Sequence, residues 1–293
     1  MGRNIPKMGK GSRVEYTVNF LTCVFNAWTT GQFILSTTIT IFSAVLDSFI
    51  PDFTLGNVES TERRRICYPY LASMTFQPKE LIELLRQCRA LGLQGYCDRI
   101  LDQLEKIALS DTDPAPVFAN FLLPFANRMY DIQQPSPDSS NQRTKFTENI
   151  LTAYQDQCVG SKPSPPADWT RRKCGCGCVD CDLLDTFLVN PNSVETWIPI
   201  VEDRVEHLRT RIPLINGQRE HETHVLTGDS ICGLSIRKTD PAWSSSVERW
   251  EEDQKGARRV LENNFNEGRL KEVLGTRFNE FLGGPSKGLG KGW

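Results

Sequence analysis

The sequence predicts a mainly α-helical protein with one small β-hairpin. Three observations carry that expectation. Apolar residues recur at helical spacing in most segments, a single pair of segments alternates as strands do, and proline-rich breaks separate the rest. With 39% hydrophobic and 24% charged residues, the 293-residue chain can bury one generous core or two smaller ones.

Residues 1–50 read as an apolar N-terminal segment. No charge falls between Tyr16 and Leu46, and Arg3, Lys7, Lys10 and Arg13 precede that run, as they would a signal or membrane anchor. Seven threonines with Asn19, Asn26 and Gln32 dilute it. Its densest part, Phe33 to Leu46, spans about 14 residues, short of the roughly 20 that a spanning helix needs. A core helix is the expectation, with a membrane span through residues 16–46 or a signal peptide as alternatives.

Residues 51–160 read as a helical region. Pro78-Lys-Glu opens a helix with an acidic first turn, and Leu81, Leu85 and Cys88 form its stripe. Gly92 and Gly95 punctuate, and Tyr96, Ile100, Leu101, Leu104 and Ala108 line a second helix, making an αα-hairpin over 79–109. Val117 to Tyr130 is a third, bent at Pro124 because proline removes a backbone bond. Gln133 to Ser140 is a polar, proline-containing linker. It leads into a helix over 142–158 with Phe146, Ile150, Leu151, Tyr154 and Cys158 on one face.

A second proline-rich break, Lys162-Pro-Ser-Pro-Pro-Ala167, opens a region over 161–282. It holds short helices over 182–188 and 201–212, then two alternating segments, His224–Thr227 and Gly233–Lys238, that suit a hairpin around Gly228-Asp-Ser. Helices resume over 244–265 and 268–282. The glycine-rich residues 283–293 are expected to be a disordered tail.

The chemistry concentrates in Cys174-Gly-Cys-Gly-Cys-Val-Asp-Cys181. Four of the ten cysteines lie in these eight residues, and the others are scattered at Cys23, Cys67, Cys88, Cys97, Cys158 and Cys232. A disulfide scaffold spreads its pairs whereas a metal site gathers its ligands, which favours an intracellular, reducing compartment, cytoplasmic or nuclear. In an extended run alternate residues face one way, so Cys174, Cys176 and Cys178 can share a side. Gly175 and Gly177 let the backbone curl, and Cys178-Val-Asp-Cys181 has the two-residue spacing that wraps a tetrahedral ion. Disulfides within so short a run would be poorly shaped, and the preceding Arg171-Arg-Lys173 favours thiolate. Structural zinc is the metal expected.

Four thiolates from one short run would crowd a single tetrahedron, so a site of three cysteines and a remote histidine is more comfortable. Of the three histidines, His207 lies in a helix that can pack beside the one after Cys181. The leading set is Cys176, Cys178, Cys181 and His207, with Cys174 as the alternative fourth ligand. His221-Glu-Thr-His224 lacks the i, i+4 spacing of a zinc protease. Gly228-Asp-Ser-Ile-Cys232 lacks the second glycine of a nucleophile elbow. With 34 basic residues against 36 acidic, no overall field favours nucleic acid or anionic lipid.

From about Phe121 to Leu274, roughly half the chain, the order of several motifs resembles a group of uncharacterised fungal proteins. The motifs are Asp168-Trp169, Cys176-Gly-Cys-Val-Asp-Cys181, Leu184-Asp-Thr-Phe-Leu188, Arg204-Val-Glu-His-Leu208, Leu234-Ser-Ile-Arg-Lys-Thr239 and Trp250. In longer members this region looks like a C-terminal companion to a prolyl-hydroxylase-like, iron- and 2-oxoglutarate-dependent oxygenase domain. The resemblance implies that Cys176, Cys178, Cys181 and His207 belong together. It does not carry the oxygenase activity: that iron site needs a histidine two residues before an acid, and His207, His221 and His224 are followed at that offset by Arg209, Thr223 and Leu226. The catalytic domain of those longer members is therefore not expected here. The expected function is a non-catalytic, zinc-stabilised interaction module with a protein partner. The alternatives are a nucleic-acid-binding zinc protein using Arg171-Arg-Lys173, and a redox or accessory partner of a 2-oxoglutarate-dependent oxygenase.

Overall fold

A computed structural model describes residues 10–55, 76–110, 114–130, 137–216, 221–227 and 232–281. The chain divides into two compact units, one of Met1–Gly160 with Asp253–Trp293, the other of Ser161–Glu252. The described residues are mainly helical, with one small three-stranded sheet.

In the first unit the apolar N-terminal segment is two helices rather than one, α1 (Lys10–Thr29) and α2 (Leu35–Asp52). Gly31 breaks the run at φ +76°, and Gln32 N–H closes the turn on the Ala27 carbonyl at 2.8 Å. Val14, Val18, Leu21 and Val24 of α1 and Phe42, Leu46, Phe49 and Ile50 of α2 are buried, while Tyr16, Phe20 and Ile34 stay exposed. The threonines that diluted the run satisfy themselves locally: buried Thr38 donates to the Ile34 carbonyl at 3.1 Å. No helix among the described residues is long and apolar enough to cross a membrane.

Helices α3 (Pro78–Ala90) and α4 (Gln94–Ser110) form the expected hairpin, turned by Gly92 at φ +73°. Gln77 and Glu80 cap α3 reciprocally, with Gln77 N–H donating to the Glu80 carboxylate at 2.9 Å. The bend expected at Pro124 takes the form of a π turn over Phe118–Leu122, between α5 (Pro114–Val117) and α6 (Leu123–Met129). Proline cannot donate to the carbonyl one turn back, and widening the preceding turn absorbs the missing bond. Phe76, Phe121, Phe125 and Phe146 run through this core in successive ring contacts of 5.5–6.0 Å.

Helix α7 (Pro137–Cys158) starts earlier than expected. Residues 137–140, read as linker, are its first turn, where proline loses nothing because that N–H has no intrahelical partner. Residues 133–136 lie outside the described residues. The largest difference concerns the C-terminal helices. Residues 253–281 belong to the first unit rather than to a region over 161–282: Ala257, Leu261, Phe265, Leu270, Val273, Leu274 and Phe281 are buried in its core. The helix expected over 268–282 is α11 (Glu267–Leu274), a 3-10 turn (Gly275–Arg277) and α12 (Phe278–Phe281), broken where Gly275 adopts φ +51°. Residues 283–293 lie outside the described residues.

The second unit runs from a non-helical, proline-rich entry through α8 (Val179–Leu188), β1 (Glu195–Pro199), α9 (Glu202–Asn216), β2 (His221–Thr227), β3 (Cys232–Lys238) and the start of α10 (Pro241–Asn264). The sheet is antiparallel in the order β1-β3-β2, with Ile198 and Val225 both opposite Leu234. The hairpin β2–β3 was expected, although its turn at 228–231 lies outside the described residues. Strand β1 was not. It is five residues long and ends in Pro199, which is tolerated because β1 is an edge strand. Trp197 of β1 lies across Gly233, where a Cβ would come within 2.2 Å of the indole nitrogen. The core is Cys181, Leu184, Phe187, Leu188, Ile198, Ile200, Val205, Leu208, Ile212, Leu234 and Ile236.

Candidate metal centre

The backbone around the cysteine run is held at both ends before any ligand is considered. Upstream, Trp169 N–H donates to the Pro191 carbonyl at 3.0 Å and Arg171 N–H to the Leu188 carbonyl at 2.7 Å, tying the entry segment to the end of α8. The Asp185 carboxylate then accepts the consecutive N–H groups of Cys174 and Gly175, the latter at 3.1 Å. Gly175 and Gly177 sit at φ +65° and +81°, values that side chains resist, so the loop can reverse twice in four residues. Downstream, Cys178 caps α8: its backbone is extended, and its sulfur accepts the Cys181 N–H at 3.5 Å. A thiolate here meets an N–H and the positive end of the helix.

The histidine arrives on α9. Val205, Leu208 and Ile212 bury one side of that helix in the unit's core. Arg204 pairs with the buried carboxylate of Asp180 at 3.2 Å. One turn beyond Arg204, His207 reaches the cysteine loop, and its Nε2 lies 3.5 Å from Cys176 Sγ, 3.5 Å from Cys178 Sγ and 3.3 Å from Cys181 Sγ. The four ligand atoms all lie within 4.8 Å of one another.

These distances have a simple reading. An imidazole nitrogen carries one proton or one lone pair, so it cannot hydrogen-bond three sulfurs equally. A tetrahedral ion with metal–sulfur bonds of about 2.3 Å and a metal–nitrogen bond of about 2.0–2.1 Å would set each N···S edge near 3.5 Å. The edges found fit a single ion at the centre, and the cluster can hold a metal. Its exposure is graded: Cys176 is exposed, Cys178 and His207 are half-buried, and Cys181 is fully buried.

The electrostatics follow from the same contacts. The Cys181 N–H, helped by the neighbouring Cys181, His207 and Cys176 side chains, lowers the Cys178 thiol to about 7 against the burial that would raise it. Burial, followed by the crowd of Cys174, Cys178 and Cys176 sulfurs, raises the Cys181 thiol. One thiol ionises readily and its neighbour resists, and thiols must be deprotonated to hold a cation.

Cys174 stands beside this group, not in it. Its sulfur accepts the Cys176 N–H at 3.4 Å and is a side-chain neighbour of Cys181. His221 and His224 are not among the four residues of the cluster. Three residues apart on β2, they face opposite sides of the sheet, which removes any shared metal. His221 is buried with neither ring nitrogen hydrogen-bonded. It is paired across the strands with Lys238, whose buried ammonium donates to the Asn190 carbonyl at 2.8 Å beneath the Phe187 ring. Sequence reasoning missed Asp185 and the Asp180–Arg204 pair. The only signal was that three acids crowd one short helix beside a thiol cluster. Compared with family models, with characterised proteins and with solved structures, the chain matches none.

Proposed function

We propose that Cys176, Cys178, Cys181 and His207 bind one structural zinc ion, and that the Ser161–Glu252 unit is a non-catalytic interaction module stabilised by it. The observation that carries this reading is the near-equal spacing of three sulfurs about one imidazole nitrogen. Soft thiolates with an imidazole suit zinc, and four protein ligands fill a tetrahedron and leave no position for a reacting water. The surrounding contacts are those of a clasp: Asp185 fixes the loop, Asp180 with Arg204 fixes the helix, and zinc joins the two. Cys23, Cys88, Cys97, Cys174, Cys176, Cys178 and Cys181 form no disulfide, which suits a reducing compartment.

The interaction half of the reading rests on α8. Val179 and Leu183, one turn apart and flanking Cys181, are 75% and 49% exposed. Apolar residues left in water beside a rigid metal clasp are where a protein partner would sit. A nucleic-acid partner has less support, because Arg171 of the basic run is spent inside the fold, donating to the Thr239 carbonyl at 3.0 Å and lying against Trp169.

Metal analysis of the purified chain tests the first half. One zinc per chain and a melting transition lowered by chelator are expected; no metal and an unchanged transition would remove the proposal. For the second half, Leu183→Asp should keep its zinc and its melting temperature while losing the partner that the wild-type chain captures. Undiminished capture by that variant would clear α8 of the role.

A further inference from the structure

We infer that Cys174 is an exchange ligand: a metal held by Cys176, Cys178 and Cys181 can take its fourth bond from His207 or, alternatively, from Cys174. This deepens the zinc reading above and rests on it. Three features carry the inference. The Cys174 sulfur already neighbours the Cys181 thiol, and the N–H of Cys176 points at it. Its main chain is pinned by Asp185, so the residue stays beside the cluster whatever α9 does. The left-handed glycines at 175 and 177 supply the turns that relieve the crowding of four sulfurs on so short a run.

The exchange has a structural meaning because the two fourth ligands differ in origin. His207 is the sole member of the set that comes from outside the cysteine loop and α8. With His207 bound, the metal joins two elements. With Cys174 bound, the metal rests on the 174–181 run alone and α9 is uncoupled, held by its apolar face and the Asp180–Arg204 pair. In the exchange the metal–Nε2 bond breaks, a metal–Sγ bond forms, and the thiol proton passes to the freed imidazole or to water. No electrons move. For a divalent ion, three thiolates leave the centre with one net negative charge and four leave it with two. The state with α9 uncoupled is therefore favoured by softer, more thiophilic cations.

Cobalt(II) replacing zinc in the full chain reads the ligand set directly, since thiolate-to-cobalt charge transfer scales with the number of bound sulfurs. Wild-type protein should show three-sulfur intensity. His207→Ala should show about four-thirds of that intensity with four-sulfur ligand-field bands, and bind cobalt within about tenfold of wild type. His207→Ala with Cys174→Ser should bind more than about a hundredfold more weakly than His207→Ala alone. Three-sulfur intensity in His207→Ala, unaltered by adding Cys174→Ser, would overturn the inference while leaving the zinc site intact. Wild-type protein that takes up no cobalt and no zinc would overturn both. Should His207→Ala fail to fold, diethylpyrocarbonate on the metal-loaded chains decides. Acylating the imidazole should leave the metal on wild-type protein and release it from Cys174→Ser; equal release from both would sink the exchange.

Discussion

The two units meet the demand for a core at different scales. Among the described residues, the first buries forty-one apolar side chains in one cluster, with Phe118, Phe121, Phe125 and Phe146 at its centre. The second has a cluster of eleven, of which one, Phe187, is aromatic and one, Cys181, is a ligand of the candidate metal centre. A core that small contributes little beyond the conformational entropy it must offset, and domains in that position are commonly stapled. Because Cys181 belongs to both core and cluster, a metal here extends the core rather than decorating it. The first unit should therefore stand on packing alone and the second on packing plus coordination.

The sharpest way to break that contrast is to take away any metal the cluster holds. Structural zinc sites are worth about 10–16 kcal/mol in small domains, enough to decide whether such a unit folds. Chelator, or Cys181→Ser, should collapse amide-exchange protection in α8, α9 and the sheet while α3, α4 and α7 keep theirs. Equal loss in both units, or no loss, would end the distinction. The complementary change is Phe125→Ala, which opens a cavity in the first core and should cost about 3–5 kcal/mol there. Zinc content and exchange in the second unit should not move.

Arg204→Ala probes the clasp more gently. Asp180 is buried but Arg204 is half-exposed, so screening by solvent limits the direct loss to about 1 kcal/mol. The more telling readout is zinc affinity, which should fall by about tenfold as His207 loses its aim. An unchanged affinity would mean that the apolar face of α9 suffices to place the ligand.

Much of the helical framework was legible because its signals are local. Leu81, Leu85 and Cys88, or Phe146, Ile150 and Tyr154, repeat at helical spacing and end at glycines that must turn. What was not legible depended on distant partners. Residues 253–281 carry an ordinary amphipathic pattern that does not say which core it completes, and β1 became a strand because β3 was there to pair with it. At the site, the cysteines announced themselves by type and spacing. The expectation for His207 came from a helix able to pack nearby and from a resemblance between motifs. Asp185 and Asp180 carry no pattern of their own; their roles exist only after the loop closes on α8.

A pH-dependent effect concerns the buried His221–Lys238 pair, a feature of the second unit that owes nothing to coordination. Burial, then the nearby Arg171 and Lys238 charges, lowers His221 to about 4. Burial and Arg171 lower Lys238 to about 8, with Asp168 opposing. In each case the unfolded chain holds its proton more tightly than the folded one. For His221 the full stability is present above about pH 6.5, the ordinary histidine value, and is lost as pH falls through the folded value near 4. The slope approaches about 1.4 kcal/mol per pH unit for one proton. Lys238 gives the same sign in a higher window, stability rising from about pH 8 toward the ordinary lysine range. His221→Phe should flatten the acid limb of the second unit, read by exchange at β2 and β3. Any loss of bound metal in acid is common to both proteins, so their difference isolates the imidazole. Parallel acid limbs in the two proteins would show that His221 reaches water and protonates without cost.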